Sequence, residues 1–191
     1  MSKVKIGILG GTFNPPHTGH LIIANEVFHA LELEKVWFMP NQEPPHKKKE
    51  GNVSNQQRVK MLELAIQGHP HFDVESLELE RQGPSYTYET MKILTDRHKN
   101  HEFYFIIGGD MIEYLAKWHK IDELQQLVKF VGVNRPRYSS KTEYEVLLID
   151  SPSIDLSSSM IRQRIESGGT IRYLVPELVR DYIEENGLYG S

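Results

Sequence analysis

Residues Val4 to His20 read VKIGILGGTFNPPHTGH. Val4 to Leu9 is short, apolar and rich in β-branched residues, and Gly10-Gly11 ends it, which suits a strand buried on both faces. From Thr18 a helical spacing takes over, with Leu21, Ala24, Phe28 and Leu31 on one face. Val36 to Met39 predicts the next strand. Strand, helix, strand in this order defines a βαβ unit and so a parallel sheet with a right-handed crossover. The turn between the first strand and the helix also carries chemistry. Gly10 and Gly11 lack Cβ, so an anion can approach their amides closely. Two prolines stiffen the loop. His17 and His20 lie one helical turn apart and share a face, and Gly19 leaves that face uncrowded. A helix beginning near Thr18 adds free amides and the positive end of its dipole. Together these are the requirements of a polyphosphate site. The plainer alternative is a strand-to-helix turn with incidental histidines. The stretch is neither the dinucleotide fingerprint G-x-G-x-x-G nor a Walker loop.

The rest of the chain continues the alternation. Pro40 to Val53 is a long polar loop with three prolines and the run Lys47, Lys48, Lys49. Long loops in compact domains are often functional. Ser54 and Gln57 form a capping-box pattern, opening a helix through Arg58, Met61, Leu62 and Ala65 that Gly68 and Pro70 stop. Phe72 to Leu79 alternates weakly and predicts one strand or two short ones. Gly83-Pro84-Ser85 is a turn, and a helix follows from about Thr87. Glu102 to Ile107 predicts a strong strand, Met111 to Leu115 and Ile121 to Leu127 short helices, and Lys129 to Val133 and Val146 to Ile149 two more strands. Asn134 to Glu143 is a polar loop. Helices follow from Ser157 to the stop at Gly168-Gly169, and from Pro176 to Gly187. The expected fold is a single-domain, doubly wound α/β protein with a mainly parallel sheet, spanning residues 1–191. In such sheets ligands bind outside the carboxyl ends of the strands.

Two further loops after strands have the residues for such a role. Gly108-Gly109-Asp110 allows a ribose to approach, with Asp110 accepting a hydroxyl; Asp110 as an ordinary helix N-cap is the alternative. Ser157-Ser158-Ser159 offers three hydroxyls at a helix N-terminus, with Arg162 one turn in and able to reach the same anion. Simple capping needs only one of these serines. Arg164 reads as solvated. A second ligand has its own candidates. Trp118, between Lys117 and His119, can stack on an aromatic ring or pack over the rim of the core. Ser85 to Tyr88 supplies hydroxyls and amides suited to a carboxylate, or an ordinary cap with Tyr86 packed against the fold. Lys47 can fold over a phosphate or remain in a solvated lysine run.

Composition narrows the classes. The chain has 191 residues, no cysteine and a formal net charge of -4. Disulfides, thiolate metal sites and cysteine nucleophiles are excluded. No global basic field recruits nucleic acid. No apolar run is long enough to span a bilayer or serve as a signal segment. The expectation is a soluble cytoplasmic protein with neither nucleic-acid nor membrane partners. His17 and His20 lack the following glutamate of a zinc protease helix, and no G-x-S-x-G elbow occurs.

GGTFNPPHTGH resembles the signature of the H-x-G-H nucleotidyltransferase superfamily, and SSSMIR resembles its second signature, S-S-T-x-I-R. Between them PPHKK, GPSYTYET, IIGGDM and KWHKI are similar to the bacterial nicotinate mononucleotide adenylyltransferases, and the likeness runs to the C-terminal YIEENGLY. The resemblance implies a Rossmann-like fold and the joining of ATP to nicotinate mononucleotide, with Mg²⁺ carried on the phosphates and no protein metal ligands. It implies that His17, His20 and Arg162 act on the reacting phosphates. Gly10, Gly11, Thr12, Phe13, Gly108, Asp110, Ser157 and Ser158 would hold ATP. Lys47, Tyr86, Thr87, Trp118 and His119 would hold the mononucleotide. It also implies a homodimer. Two residues depart from the pattern: Asn14 stands for the usual aspartate and Ser159 for threonine. A pantetheine-phosphate adenylyltransferase and a non-catalytic nucleotide sensor are the alternatives; the longer chain, the PPHKK loop and the Trp118 region weigh against the first, the two intact histidines against the second.

Overall fold

The computed structural model describes residues 3–42, 53–81, 86–134 and 142–191, with the backbone alone for Asp110 and Asn134. Among the described residues six strands are formed: β1 (Val4–Gly11), β2 (Lys35–Pro40), β3 (Phe72–Val74), β4 (His101–Gly108), β5 (Val128–Asn134) and β6 (Val146–Asp150). They make one sheet in the order β3-β2-β1-β4-β5-β6, and every neighbouring pair is parallel. This is the doubly wound order, with its switch point between β1 and β4, where the connections leave in opposite directions. The helices are α1 (Thr18–Ala30), α2 (Asn55–Ile66), α3 (Leu77–Glu80), α4 (Thr87–Arg97), α5 (Gly109–Ile112), α6 (Ile121–Leu127), α7 (Ser158–Glu166) and α8 (Glu177–Glu185). Among the described residues no helix is long and apolar enough to cross a membrane.

The strand sequences explain the layering. Successive side chains of β4 point to opposite faces. Phe103, Phe105 and Ile107 join Met91 and Leu94 of α4 and Leu124 of α6 in one core. Tyr104 and Ile106 join Ala24 and Val27 of α1 and Leu62 of α2 in another. Both faces are covered, so the strand is a continuous apolar run rather than an alternating one. A third cluster packs Met61 of α2 against Ile161 and Ile165 of α7 and Val179 and Ile183 of α8. It ties the C-terminal third of the chain to the early βαβ unit.

The capping box opens α2 as expected: the Gln57 amide donates to Ser54 Oγ at 3.2 Å, and the Ser54 amide donates to Gln57 Oε1 at 2.9 Å. Two elements differ from expectation. Only Phe72–Val74 of the weakly alternating stretch is a strand, and Leu77–Glu80 turns into a helix; Leu77 and Glu78 are adjacent and both buried, which a half-exposed strand does not allow. The helix expected from Met111 instead starts at Gly109 and ends at Ile112, and a separate 3₁₀ turn covers Leu115–Lys117.

Histidines gather where β3 and β4 begin, at the opposite end of the sheet from the strands' carboxyl termini. The His69 ring stacks on Phe72 at 3.6 Å, and His101 lies 4.8 Å from His98. Burial, followed by the neighbouring imidazoles, holds His69 and His101 below the ordinary 6.5. The unfolded chain therefore takes up these protons at higher pH than the fold does. The stability they lend is present above 6.5 and is lost as pH falls toward their folded values. Thermal melts should show the midpoint falling from pH 7 to 5, and a His69→Phe, His101→Phe double variant should flatten part of that slope.

Candidate active site

The carboxyl ends of β1 and β4 open the switch-point crevice. Gly10 and Thr12 are exposed there, whereas Phe13 is 1% exposed with φ at 51°. A left-handed conformation is unfavourable for an aromatic residue, and packing holds it: the Phe13 ring meets His20 edge-on at 4.9 Å and Phe38 at 5.9 Å. A Cβ on Gly11 would lie 3.1 Å from that ring. The glycine thus lets the Phe13 ring pack close against the end of β1.

His17 is the N-cap residue of α1. Its amide donates to His20 Nδ1 at 3.1 Å, and the two rings stack 3.6 Å apart at 22°. Because Nδ1 of His20 accepts, its neutral ring carries the proton on Nε2, which becomes a donor. A Cβ on Gly19 would come within 3.1 Å of His17 Nδ1 and press on that ring, so the small residue in His-x-Gly-His leaves the stack uncrowded. The expectation of free amides at this helix start narrows. The Thr18 amide donates to Leu174 O at 2.9 Å and the His20 amide to His17 O at 2.9 Å. Thr18 Oγ1 also donates to Tyr173 O at 3.2 Å. His17 is 6% exposed and His20 half-buried, so the His20 ring, backed by His17, is the side chain this turn presents rather than a row of amides.

The second motif is fastened directly to the first. Each serine has a separate job. Ser157 caps α7, accepting from the Met160 amide at 3.2 Å. Ser158 Oγ donates to Pro15 O at 2.8 Å. Ser159 Oγ accepts from Arg162 Nη2 at 3.2 Å, and Arg162 Nη1 donates to Asn14 O at 2.8 Å. These bonds hold the Arg162 guanidinium at the crevice, against the first βα turn. The two departures from the family pattern also have places. Ser159 keeps the hydroxyl that Arg162 uses. Asn14, 4% exposed, accepts the Tyr189 hydroxyl at 2.5 Å through Oδ1; as an amide it avoids burying a charge there.

Sequence reasoning missed Arg58. It is 0% exposed. Its Nη1 donates to Thr12 O at 2.6 Å, and its Nη2 to Asn41 O at 2.8 Å and Asn55 Oδ1 at 2.9 Å. One guanidinium on α2 thereby joins the loops that leave β1 and β2. Tyr189 was missed in the same way.

Across the crevice, Gly108 closes β4 and is itself the N-cap of α5. Asp110 is the second residue of that helix, so the ordinary N-cap alternative does not hold for it. Farther along, Trp118 is half-buried and meets Phe105 and Phe130 edge-on at 5.8 and 6.0 Å. It therefore forms the rim of the core. Tyr86 caps α4 without a side-chain bond and is brought to His119, ring to ring at 4.4 Å. Thr87 is the first residue of α4. Lys47 and the Gly83-Pro84-Ser85 turn lie outside the described residues.

A doubly wound sheet whose first βα turn offers paired histidines, and whose late helix returns a serine and an arginine to that turn, is the arrangement of a nucleotidyltransferase. The family model described as cytidylyltransferase-like matches residues 8–164. A Geobacillus thermodenitrificans protein named "Probable nicotinate-nucleotide adenylyltransferase" is 60% identical over 187 residues, covering 98% of this chain and 87% of its own. The Bacillus subtilis nicotinate-nucleotide adenylyltransferase is 53% identical over 98% of this chain and 99% of its own. A Plasmodium falciparum nicotinic acid mononucleotide adenylyltransferase, solved with NaAD, shares the fold at a TM-score of 0.81, with 22% identity over 97% of each chain. The chain belongs to the nicotinate-nucleotide adenylyltransferase family, within the cytidylyltransferase-like proteins.

Proposed function

We propose that the protein transfers the adenylyl group of ATP to nicotinate mononucleotide, forming deamido-NAD and pyrophosphate, a late step of NAD synthesis. The observation that carries this reading is the fastening of Ser158 and Arg162 onto the Asn14-Pro15 carbonyls. It sets a cation and a helix N-terminus against the His17–His20 pair. The acceptor's phosphate oxygen attacks the α-phosphorus in line. One P–O bond forms, the bond to the β-phosphate bridging oxygen breaks, and pyrophosphate leaves with that electron pair. The protein's task is positioning and charge stabilisation. His20, through Nε2–H, and His17 act on the reacting phosphates. Arg162 and Ser158 hold the outer ones, with Ser157 fixing the helix start beside them. Gly10, Gly11, Thr12 and Phe13 line the nucleotide path, and Gly108 and Asp110 receive the ribose. MgATP is the substrate form, since the cation and N–H donors here suit phosphates that already bear a metal ion.

Trp118 presents its free side to the pyridine ring, and the amides near Thr87 and His119 receive its carboxylate, with Tyr86 against them and Lys47 approaching the phosphate. Amide donors favour the acid over the carboxamide, whose NH₂ would face another N–H. The protein acts as a homodimer, which gel filtration tests. Incubating it with MgATP and, in turn, nicotinate mononucleotide, nicotinamide mononucleotide and phosphopantetheine tests the reaction. Pyrophosphate release is expected with the first acceptor above the others. Release only with phosphopantetheine, or with none, would refute the reading. Trp118→Ala should raise KM for the mononucleotide about tenfold, from lost stacking of ~1–1.5 kcal/mol, and leave KM for ATP nearly unchanged. Equal changes in both would remove Trp118 from the acceptor pocket.

A further inference from the structure

One buried carboxyl has no part in the chemistry above. Glu78, in α3, is 4% exposed. It faces Thr90, itself 0% exposed, whose Oγ1 lies 3.1 Å from Glu78 Oε1. The same hydroxyl lies 3.3 Å from the Tyr86 carbonyl and accepts from Arg81 Nη1 at 3.2 Å. Tyr86 is the cap of α4, and its carbonyl also accepts the Thr90 amide at 3.2 Å. The first turn of α4 is further tied to the segment beyond Trp118. Tyr86 meets the His119 ring, Lys120 pairs with Glu89 at 3.6 Å, and Lys120 sits over the Tyr88 ring at 4.7 Å. Every contact of this cluster leads to the backbone that the reading above assigns to the acceptor's carboxylate.

We propose that Glu78 and Thr90 are positioning residues for the acceptor half of the site, setting the head of α4 through the Tyr86 carbonyl. The inference rests on the acceptor pocket proposed above. A hydroxyl has one proton and two lone pairs. When Glu78 is neutral its O–H donates to Thr90 Oγ1, the Arg81 N–H takes the other lone pair, and the threonine proton goes to Tyr86 O. All partners are then satisfied. When Glu78 is ionised, carboxylate and carbonyl compete for that one proton. Burial raises the Glu78 carboxyl to about 7, against the opposing pull of the Thr90 bond and of Arg81, so the satisfied arrangement is accessible near neutrality. A buried carboxyl is costly to keep where apolar packing would serve stability as well. Placement of the α4 head gives it a use.

Steady-state kinetics on four variants test this. Thr90→Val, which keeps the shape and removes the hydroxyl, and Glu78→Leu should each raise KM for nicotinate mononucleotide about fivefold, the scale of one net hydrogen bond. Their KM for ATP should stay within about twofold in the same preparation, which also shows that the variants fold. Thr90→Ser and Glu78→Gln restore a hydroxyl and a donor and should return KM for the mononucleotide to near wild type. Parallel shifts in both KM values, unchanged values in Thr90→Val and Glu78→Leu, or failure of the two conservative variants to restore binding would overturn the proposal. A wild-type protein that uses ATP with a different acceptor would overturn the acceptor reading and this inference with it. Normal wild-type use of nicotinate mononucleotide with unmoved variants overturns the inference alone.

Discussion

His20→Ala should lower kcat by about 10²–10³-fold, the range for removing one donor that acts on transition-state charge, while lowering stability by only ~1 kcal/mol. The two effects have different origins in one ring. Nδ1 accepts the His17 amide at 3.1 Å, which closes the first turn of α1 in the manner of a capping residue. That bond fixes the ring and leaves Nε2–H as the donor for a phosphate oxygen. Truncation loses both. His20→Gln separates them, because glutamine three residues past an N-cap accepts the cap amide through its side-chain oxygen. It should recover most of the stability and leave kcat at least about tenfold below wild type. Thermal melts and saturating-substrate kinetics on the two variants provide the comparison. Wild-type turnover in either variant would make His20 a structural residue only. His17→Ala differs in kind, since that ring supports the stack at 3.6 Å and its loss also lets the His20 ring move.

The contrast between legible and illegible features follows the range of the bonds involved. The Ser54–Gln57 box joins residues three apart and is readable from spacing alone. So is the βαβ unit, because its signal is a change of hydrophobic period. The His17–His20 face was readable, but the ring stacking beside which Gly19 sits was not. Asn14 stood in the sequence as an unexplained departure from aspartate. The structure gives its side-chain oxygen a partner, a tyrosine hydroxyl 175 positions away. Ser158 and Arg162 were read as phosphate ligands; the structure adds that they first grip the carbonyls of Pro15 and Asn14, 143 and 148 positions earlier. The stretch from Phe72 misled because Leu77 and Leu79 alternate like a strand, while burial of Leu77 with Glu78 requires a helical turn. Local pattern therefore located the motifs, and long-range hydrogen bonds determined their shape.

Arg58 shows what such long-range bonds do, and Arg58→Met should be the most destabilising single change at the site. A methionine keeps the apolar stem and removes the guanidinium. Thr12 O, Asn41 O and Asn55 Oδ1 would each lose a donor now at 2.6–2.9 Å. At ~1 kcal/mol for each of these part-buried bonds lost, the loss is about 3 kcal/mol. For a chain of this size that lowers the melting midpoint by roughly 6–12 °C. The functional consequence should fall on ATP. Thr12 borders the phosphate loop, and Asn41 joins that loop again through its amide, which donates to Gly11 O at 2.9 Å. Loosening both ends of this join should raise KM for ATP more than KM for the mononucleotide, whose proposed contacts lie beyond β4. Arg58→Lys supplies charge without the fork. One ammonium cannot reproduce the two parallel reaches to Thr12 and Asn41, so it should recover less than half of the lost stability. Full recovery by lysine would show that charge, and not the planar bridge between the two loops, is what the fold requires from this position.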